Sequence, residues 1–240
     1  QCTVLRDRYS LGSRLYPQYQ LILDDTNRAI LLARKQSMNK KSNYHIFDLS
    51  RGAASVHPNQ KYNKKSGNYL GKLRASNIES SDYVLLTRSS EKSEVAAISY
   101  ERSSMLKQFR DGSQPRRLYV VLPHLDADSV PVPNIVKSVE GSVGNPSISD
   151  CVKDPVECQQ RQLYSLGSKE PTYENGNYRL NFYGRVSHPS VKNFQLVSPD
   201  NPNDIICQFG KVGEDKFHLD FKAPMSPFQA FGIALTQFNI

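Results

Sequence analysis

A segment close to the C-terminus, residues 228–238, predicts a helix that is apolar around nearly its whole circumference. The Ser226-Pro227 pair ahead of it supplies a capping hydroxyl and a proline for the first turn. Such a helix has to be buried on nearly all sides, yet it is too short to span a bilayer. The pattern favours a barrel closed around the helix over a helix packed on one sheet face. The polar residues in the segment are Gln229, Thr236 and Gln237.

Short runs rich in β-branched or aromatic residues, bounded by turn-forming residues, fill most of the chain ahead of this helix. No long amphipathic helical periodicity alternates with them, which indicates an antiparallel all-β fold rather than βαβ units. Residues 24–27 and 174–177 predict hairpin turns. The predicted strands are residues 19–23, 29–33, 44–49, 69–74, 83–88, 94–101, 117–122, 178–186, 192–197, 205–212 and 216–221.

The length of 240 residues suits one large β domain or two small ones, and we expect a single domain over residues 1–240. Two polar stretches interrupt the strands and predict long loops, one near residues 53–67 and one over residues 126–172. The chain has no run of about 18 apolar residues, so the sequence predicts no transmembrane helix.

The sequence carries no pattern typical of a catalytic, metal or cofactor site. It has no G-x-S-x-G elbow, H-E-x-x-H pair, dinucleotide fingerprint or clustered acidic metal motif. The four cysteines form no C-x-x-C pair, which argues against zinc and favours reduced thiols over a disulfide framework. We therefore expect a binding protein rather than an enzyme, with no metal and no cofactor.

Basic residues are concentrated in the first half of the chain. Residues 1–120 carry 21 Lys and Arg against 10 Asp and Glu, whereas residues 121–240 carry 10 against 13. A charge distribution of this kind attracts polyanions, which include anionic lipid, nucleic acid and acidic protein. The alternative is a solvated basic face that only aids solubility.

Lys72 and Arg74 lie two residues apart on a predicted strand and so point to the same face, whereas Leu73 points into the core. A guanidinium binds two phosphate oxygens at once and an ammonium is a movable point charge, which suits two adjacent phosphates on a small ring. The alternative is a pair of exposed strand cations with no ligand. Residues available to supplement the pair are Lys40, Lys41, Asn43, Lys64, Lys65 and Lys92.

Several short motifs follow one another in a recognisable order. They are Asn43-Tyr44, Asp48-Leu49-Ser50-Arg51-Gly52, Tyr69-Leu70-Gly71-Lys72-Leu73-Arg74, and the segments 181–186, 190–196, 208–212 and 228–235. With these motifs the chain resembles the C-terminal domain of the Tubby and Tubby-like family. The resemblance covers about residues 1–125 and 173–240.

The resemblance implies a mainly β fold, a closed antiparallel twelve-stranded barrel around a central hydrophobic C-terminal helix. It also implies binding of phosphatidylinositol 4,5-bisphosphate at the inner face of the plasma membrane. The family's headgroup contacts carry over onto Lys72 and Arg74, whose motif is intact, and onto Asn43. Lys92 stands where the family often has arginine, which keeps the charge but loses the bidentate geometry.

On this interpretation the chain is a monomeric, reversible membrane tether that serves trafficking of membrane receptors, often to cilia, and signalling. It would be cytoplasmic and peripheral at the plasma membrane, with cilium and nucleus as further locations. The alternative is a basic nucleic-acid-binding transcription regulator, although we identify no element that would read a groove. A third hypothesis is that the chain is a relative of the phospholipid scramblases. The intact Gly71-Lys72-Leu73-Arg74 motif disfavours it.

Overall fold

The structure is a computed structural model that describes residues 1–8, 16–36, 41–50, 62, 64–65, 67–89, 93–101, 117–136, 144–152, 154–174 and 177–239. Within these ranges the protein is mainly β. The strands are β1 (Cys2–Asp7), β2 (Gln18–Leu23), β3 (Arg28–Lys35), β4 (Asn43–Asp48), β5 (Tyr69–Ala75), β6 (Asp82–Thr87), β7 (Ser93–Tyr100), β8 (Leu118–Leu122), β9 (Asn134–Ile135), β10 (Tyr164–Ser168), β11 (Thr172–Glu174), β12 (Asn177–Arg179), β13 (Phe194–Ser198), β14 (Asn201–Gly213) and β15 (Lys216–Phe221). The helices are α1 (Ile148–Cys151), α2 (Pro155–Gln160) and α3 (Pro227–Thr236).

Twelve of the described strands form a closed antiparallel barrel. Around the ring their order is β6, β5, β4, β3, β2, β1, β15, β14, β13, β10, β8 and β7, and pairing between β7 and β6 closes the ring. Strand β9 pairs with β7 outside the ring, and β11 and β12 form a separate hairpin. The predicted twelve-stranded barrel is therefore confirmed.

Alternation of apolar residues explains why these segments form barrel strands. In β1, Cys2 and Val4 are buried, and in the neighbouring β15 Phe217 and Leu219 are buried with them in one core cluster. Since alternate residues of a strand point to opposite faces, each strand sends one apolar row into the barrel. The interior is therefore an apolar space that needs an apolar occupant.

Helix α3 is that occupant, which confirms the prediction of a helix enclosed by the barrel. The Ser226 hydroxyl caps its N-terminus and forms a reciprocal capping box with Gln229. No helix in the described part of the chain is long and apolar enough to cross a membrane. The helix residues with no exposed surface are Ala230, Phe231, Ile233, Ala234, Leu235 and Thr236.

The polar residues of this helix form hydrogen bonds inside the barrel. The Gln229 Nε2 donates to the Val95 carbonyl oxygen at 2.8 Å, and the Gln237 Nε2 donates to the Tyr100 hydroxyl at 2.8 Å. The Thr236 hydroxyl donates to the Ile233 carbonyl oxygen one turn earlier. Buried polar groups that have partners cost little, so these residues are compatible with full enclosure.

Residues 126–172 are not the long loop that their composition predicts. The segment contains β9, α1 and α2, and it contains β10, which is a barrel strand between β8 and β13. Strand β10 could not be predicted from composition, because its sequence, Tyr-Ser-Leu-Gly-Ser, has one buried apolar residue, Leu166. The other predicted loop, near residues 53–67, lies outside the described residues except for positions 62, 64, 65 and 67.

The predicted strand over residues 178–186 is much shorter in the structure. Strand β12 ends at Arg179, and a turn closed by the Arg185 N–H and the Phe182 carbonyl oxygen follows. Tyr183 and Gly184 occupy this turn with positive φ angles of 51° and 80°. Glycine tolerates such angles readily, so the Gly184 position was the available turn signal.

Candidate functional site

Lys72 and Arg74 share the outer face of strand β5, as the sequence predicts. Leu73 between them and Ala75 after them are fully buried on the inner face. Arg74 is exposed and Lys72 is partly buried. Within the part of the chain that the structure describes, no hydrogen bond or ion pair engages either cation. Both are therefore available to a ligand on the outside of the barrel.

Asn43 lies directly opposite Arg74 on the neighbouring strand β4. Directly opposite residues of an antiparallel pair have Cβ atoms about 4.5–5.5 Å apart, so the amide lies within reach of a ligand held by Arg74. The Asn43 Oδ1 is buried and has no hydrogen-bond partner among the described residues. An unpaired buried acceptor favours a ligand that brings a donor, such as a ring hydroxyl.

Two residues that were not predicted from the sequence, Arg34 and His45, also lie on this surface. His45 of β4 lies opposite Lys72, and Arg34 of β3 lies opposite His45. Arg34, His45 and Lys72 thus form one row across three strands, which we call the basic row. The available signal was their alternation with buried neighbours, but the pairing register that aligns them cannot be read from one sequence.

An aromatic cluster on the outer wall supports the basic row. Phe47 and Tyr69 are buried against each other there, and Tyr62 of the β4–β5 connection packs on Phe47 with 5.4 Å between ring centroids. The Arg34 guanidinium lies over the Tyr62 ring, 5.0 Å from its centroid. These contacts hold Tyr62 against the barrel, and Lys64 lies close enough to act on the pKa values of His45 and Lys72.

The pKa shifts at this surface report burial and positive charge. Burial, Lys64 and Arg74 lower the pKa of Lys72, in that order of size. Burial, followed by Lys64 and Lys72, lowers the pKa of His45 to about 4. Burial also lowers the pKa of Arg34. Because neighbouring positive charges disfavour the charged form of Lys72, an anion that relieves this repulsion would be favoured at the surface.

Of the other predicted residues, Lys41, Lys64 and Lys65 are among those that the structure describes. Lys41 donates to the Ser76 carbonyl oxygen at 2.6 Å, next to the end of β5, and is exposed. Lys64 and Lys65 are exposed on the β4–β5 connection. Lys40 and Lys92 lie outside the described residues, so their place at the site stays a prediction. Among the described residues, no group of three His, Cys, Asp or Glu side chains is arranged to hold a metal ion.

The depressed pKa of His45 predicts a loss of stability in mild acid. An unfolded histidine has a pKa of about 6.5, so between pH 6.5 and about 4 the unfolded chain binds a proton that the folded chain excludes. The free energy of unfolding should therefore decrease as the pH is lowered through this window. This residue contributes a slope of at most about 1.4 kcal/mol per pH unit. Urea denaturation between pH 7.5 and 4.5 measures it, with His45→Gln as the matched variant. Identical pH profiles for the two proteins would show that the imidazole titrates normally.

The sequence is similar to known proteins along its whole length. The model of the Tub family matches residues 1–240. Tubby-related protein 1 from Homo sapiens is 34% identical over 261 residues, covering 100% of this chain and 43% of that protein. Protein king tubby from Anopheles gambiae is 33% identical over 250 residues, covering 100% of this chain and 51% of that protein. The chain spans about half the length of the curated relatives it matches.

Proposed function

Because this chain belongs to the Tub family, we propose that it tethers proteins to membranes by binding a phosphoinositide headgroup, phosphatidylinositol 4,5-bisphosphate foremost. The observation that carries the proposal is the pair of outward cations on β5, Lys72 and Arg74, with no partner among the described residues. Leu73 anchors the strand between them in the core, so the two charges project from a rigid wall. Rigid positioning reduces the entropy lost when a ligand binds.

Each residue of the site has a distinct part in this proposal. The Arg74 guanidinium binds two oxygens of one phosphate, and the Lys72 ammonium neutralises the adjacent phosphate. Asn43, opposite Arg74, uses its unpaired Oδ1 to accept from a hydroxyl of the inositol ring. The ligand is thereby recognised by two phosphates and a hydroxyl on neighbouring carbons, which is more selective than charge alone.

The exposed lysines around the site add attraction to the membrane as a whole. Lys41, Lys64 and Lys65 are exposed and near the two ends of β4 and β5. Near an anionic leaflet each such lysine contributes about 1 kcal/mol, and the contribution falls as salt shortens the Debye length. Peripheral binding at the inner face of the plasma membrane, reversible on lipid hydrolysis, would suit delivery of membrane receptor cargo by a monomer.

Co-sedimentation with liposomes that each carry a single phosphoinositide tests the proposal. Wild type should bind the 4,5-bisphosphate liposomes, and Lys72→Ala/Arg74→Ala should bind them roughly 30-fold more weakly, since each cation supplies about 1 kcal/mol or more. Folding should be unchanged, because neither side chain is part of the core. Lys211→Ala/Lys216→Ala, on β14 and β15 across the ring, removes the same charge and should lose little.

Three results would count against this function. Equal binding to phosphatidylserine and to every phosphoinositide would leave only general charge attraction. Equal loss in the two double variants would show that the site on β5 has no special part. Tight binding of duplex DNA at physiological salt, in place of liposomes, would favour the nucleic-acid regulator.

A further inference from the structure

His45 occupies the middle of the basic row on the outer wall of the barrel. Its strand neighbours on the two sides are Arg34 of β3 and Lys72 of β5. Its ring is half-buried and contacts the Tyr69 ring edge-on, with centroids 5.5 Å apart. The imidazole is therefore held in place beside the cation that would bind the headgroup.

The charged or titratable side chains that face His45 come from each described element packed against it. Strand β3 contributes Arg34, strand β5 contributes Lys72 together with the Tyr69 phenol ring, and the β4–β5 connection contributes Lys64. Every charge in this set is positive. Protonation of the imidazole in the free protein would add one more cation to the group, so burial and, after it, Lys64 and Lys72 disfavour the imidazolium and lower the pKa of His45.

We propose that His45 couples headgroup binding to proton uptake: a phosphate seated over Lys72 is contacted by the His45 imidazole, which takes a proton from solvent and donates an N–H to a phosphate oxygen. This inference rests on the proposed headgroup site. A phosphate dianion would cancel the surrounding positive charge and supply an acceptor, and both effects favour imidazolium. The bound protein therefore holds a proton that the free protein lacks.

Linkage fixes the direction of the effect on affinity. When a ligand raises the pKa of a group, protons are taken up on binding at pH values between the free and bound pKa, and affinity rises as pH falls through that window. The ligand opposes this trend, because the second pKa of a phosphomonoester is about 6 and the dianion is lost below it. Comparing wild type with His45→Gln at each pH removes the contribution of the ligand, since both proteins bind the same ionic forms.

Titration calorimetry of the intact 240-residue chain with inositol 1,4,5-trisphosphate, the soluble headgroup, tests the inference. At pH 6, measurements in two buffers of different ionisation enthalpy should show wild type taking up several tenths of a proton more per ligand than His45→Gln. The affinity ratio of wild type to variant should rise about 3- to 10-fold between pH 7.5 and pH 5.5. In wild type alone, the NMR titration of the His45 ring should move to a higher pKa when the trisphosphate is added.

The outcomes separate this inference from the function on which it rests. If wild type binds the trisphosphate at pH 7.5 but proton uptake matches that of His45→Gln and the ring pKa is unmoved, the proton coupling is wrong and the headgroup site stands. If wild type does not bind the trisphosphate at any pH tested, both are wrong. The NMR titration needs no substitution, so a variant that folds poorly would not obscure the result.

Discussion

Phe231→Ala is expected to lower the free energy of unfolding by about 3–5 kcal/mol, the range for deleting a fully buried phenylalanine. Phe231 lies on α3 at the centre of the barrel and has no exposed surface. The strands around it are fixed by their pairing and cannot move in to fill the space, so most of the cavity should remain. Urea denaturation at constant pH and temperature measures the loss.

Domains of this kind are stable by only about 5–15 kcal/mol, so the alanine variant is expected to be marginal. Phe231→Leu keeps most of the volume and should lose less than about 1.5 kcal/mol, which keeps the comparison measurable. Val191→Ala is the surface control, because Val191 is 62% exposed and should change stability by less than about 0.5 kcal/mol. A loss below 1 kcal/mol for Phe231→Ala would contradict an enclosed helix.

Gly71→Ala is expected to reduce stability by about 3 kcal/mol, the upper end for overpacked cores, and to weaken the proposed headgroup binding with it. A Cβ at position 71 would lie 2.0 Å from the Leu86 carbonyl oxygen and 3.0 Å from the Phe228 Cζ. The oxygen belongs to the backbone of β6 and cannot rotate away. Strands β5 and β6 would therefore have to separate, and the shift would move Lys72 and Arg74, which follow on the same strand.

Gly67→Ala is the matched control for this substitution. A Cβ at position 67 meets no atom within 4 Å, and the residue lies two positions ahead of β5. We expect the variant to fold and bind as wild type does, or to gain a few tenths of a kcal/mol because alanine restricts the unfolded chain. Denaturation and liposome binding of both variants measure the difference, and equal behaviour would show that the tight packing at Gly71 is relieved at no cost.

Periodicity and local chemistry carry enough information to predict the frame of the fold. The C-terminal helix could be predicted with its cap, because Ser226-Pro227 and the apolar run are local signals. Its enclosure could be predicted from its composition, since the helix has few polar residues that could face solvent. The closed ring of twelve strands, by contrast, came from the family resemblance rather than from counting strands in the sequence.

The elements that escaped prediction lack a local signal of their own. Strand β1 was not assigned, although Cys2 and Val4 alternate, because a short alternation at a chain end has little weight until β2 and β15 pair with it. Strand β10 likewise depends on pairing with β8 and β13 rather than on β-branched residues. Tertiary pairing decides such segments, and pairing is not a property of the segment.

Residue spacing alone predicted the site only where it lies within one strand, and Asn43 on the neighbouring strand came from the family resemblance. The two-residue spacing of Lys72 and Arg74 determined that they share a face, and the structure places them so. The alignment of Arg34 and His45 with Lys72 depends on the register of three strands and on a shift between Ile46 and Phe47. A one-residue slip would send these side chains to the opposite face, so their alignment had to come from the structure.

The helix at the centre of the barrel is encoded after every strand that surrounds it, and β1 is held by β15, with Cys2 opposite Leu219. During translation, neither the ring nor its filling can be completed until the last codons of this segment have been read. Until then the apolar residues of the nascent strands stay exposed, which promotes aggregation and chaperone binding. A premature stop codon just before Ser226 should therefore yield a chain that the cell degrades, rather than a barrel with an empty centre.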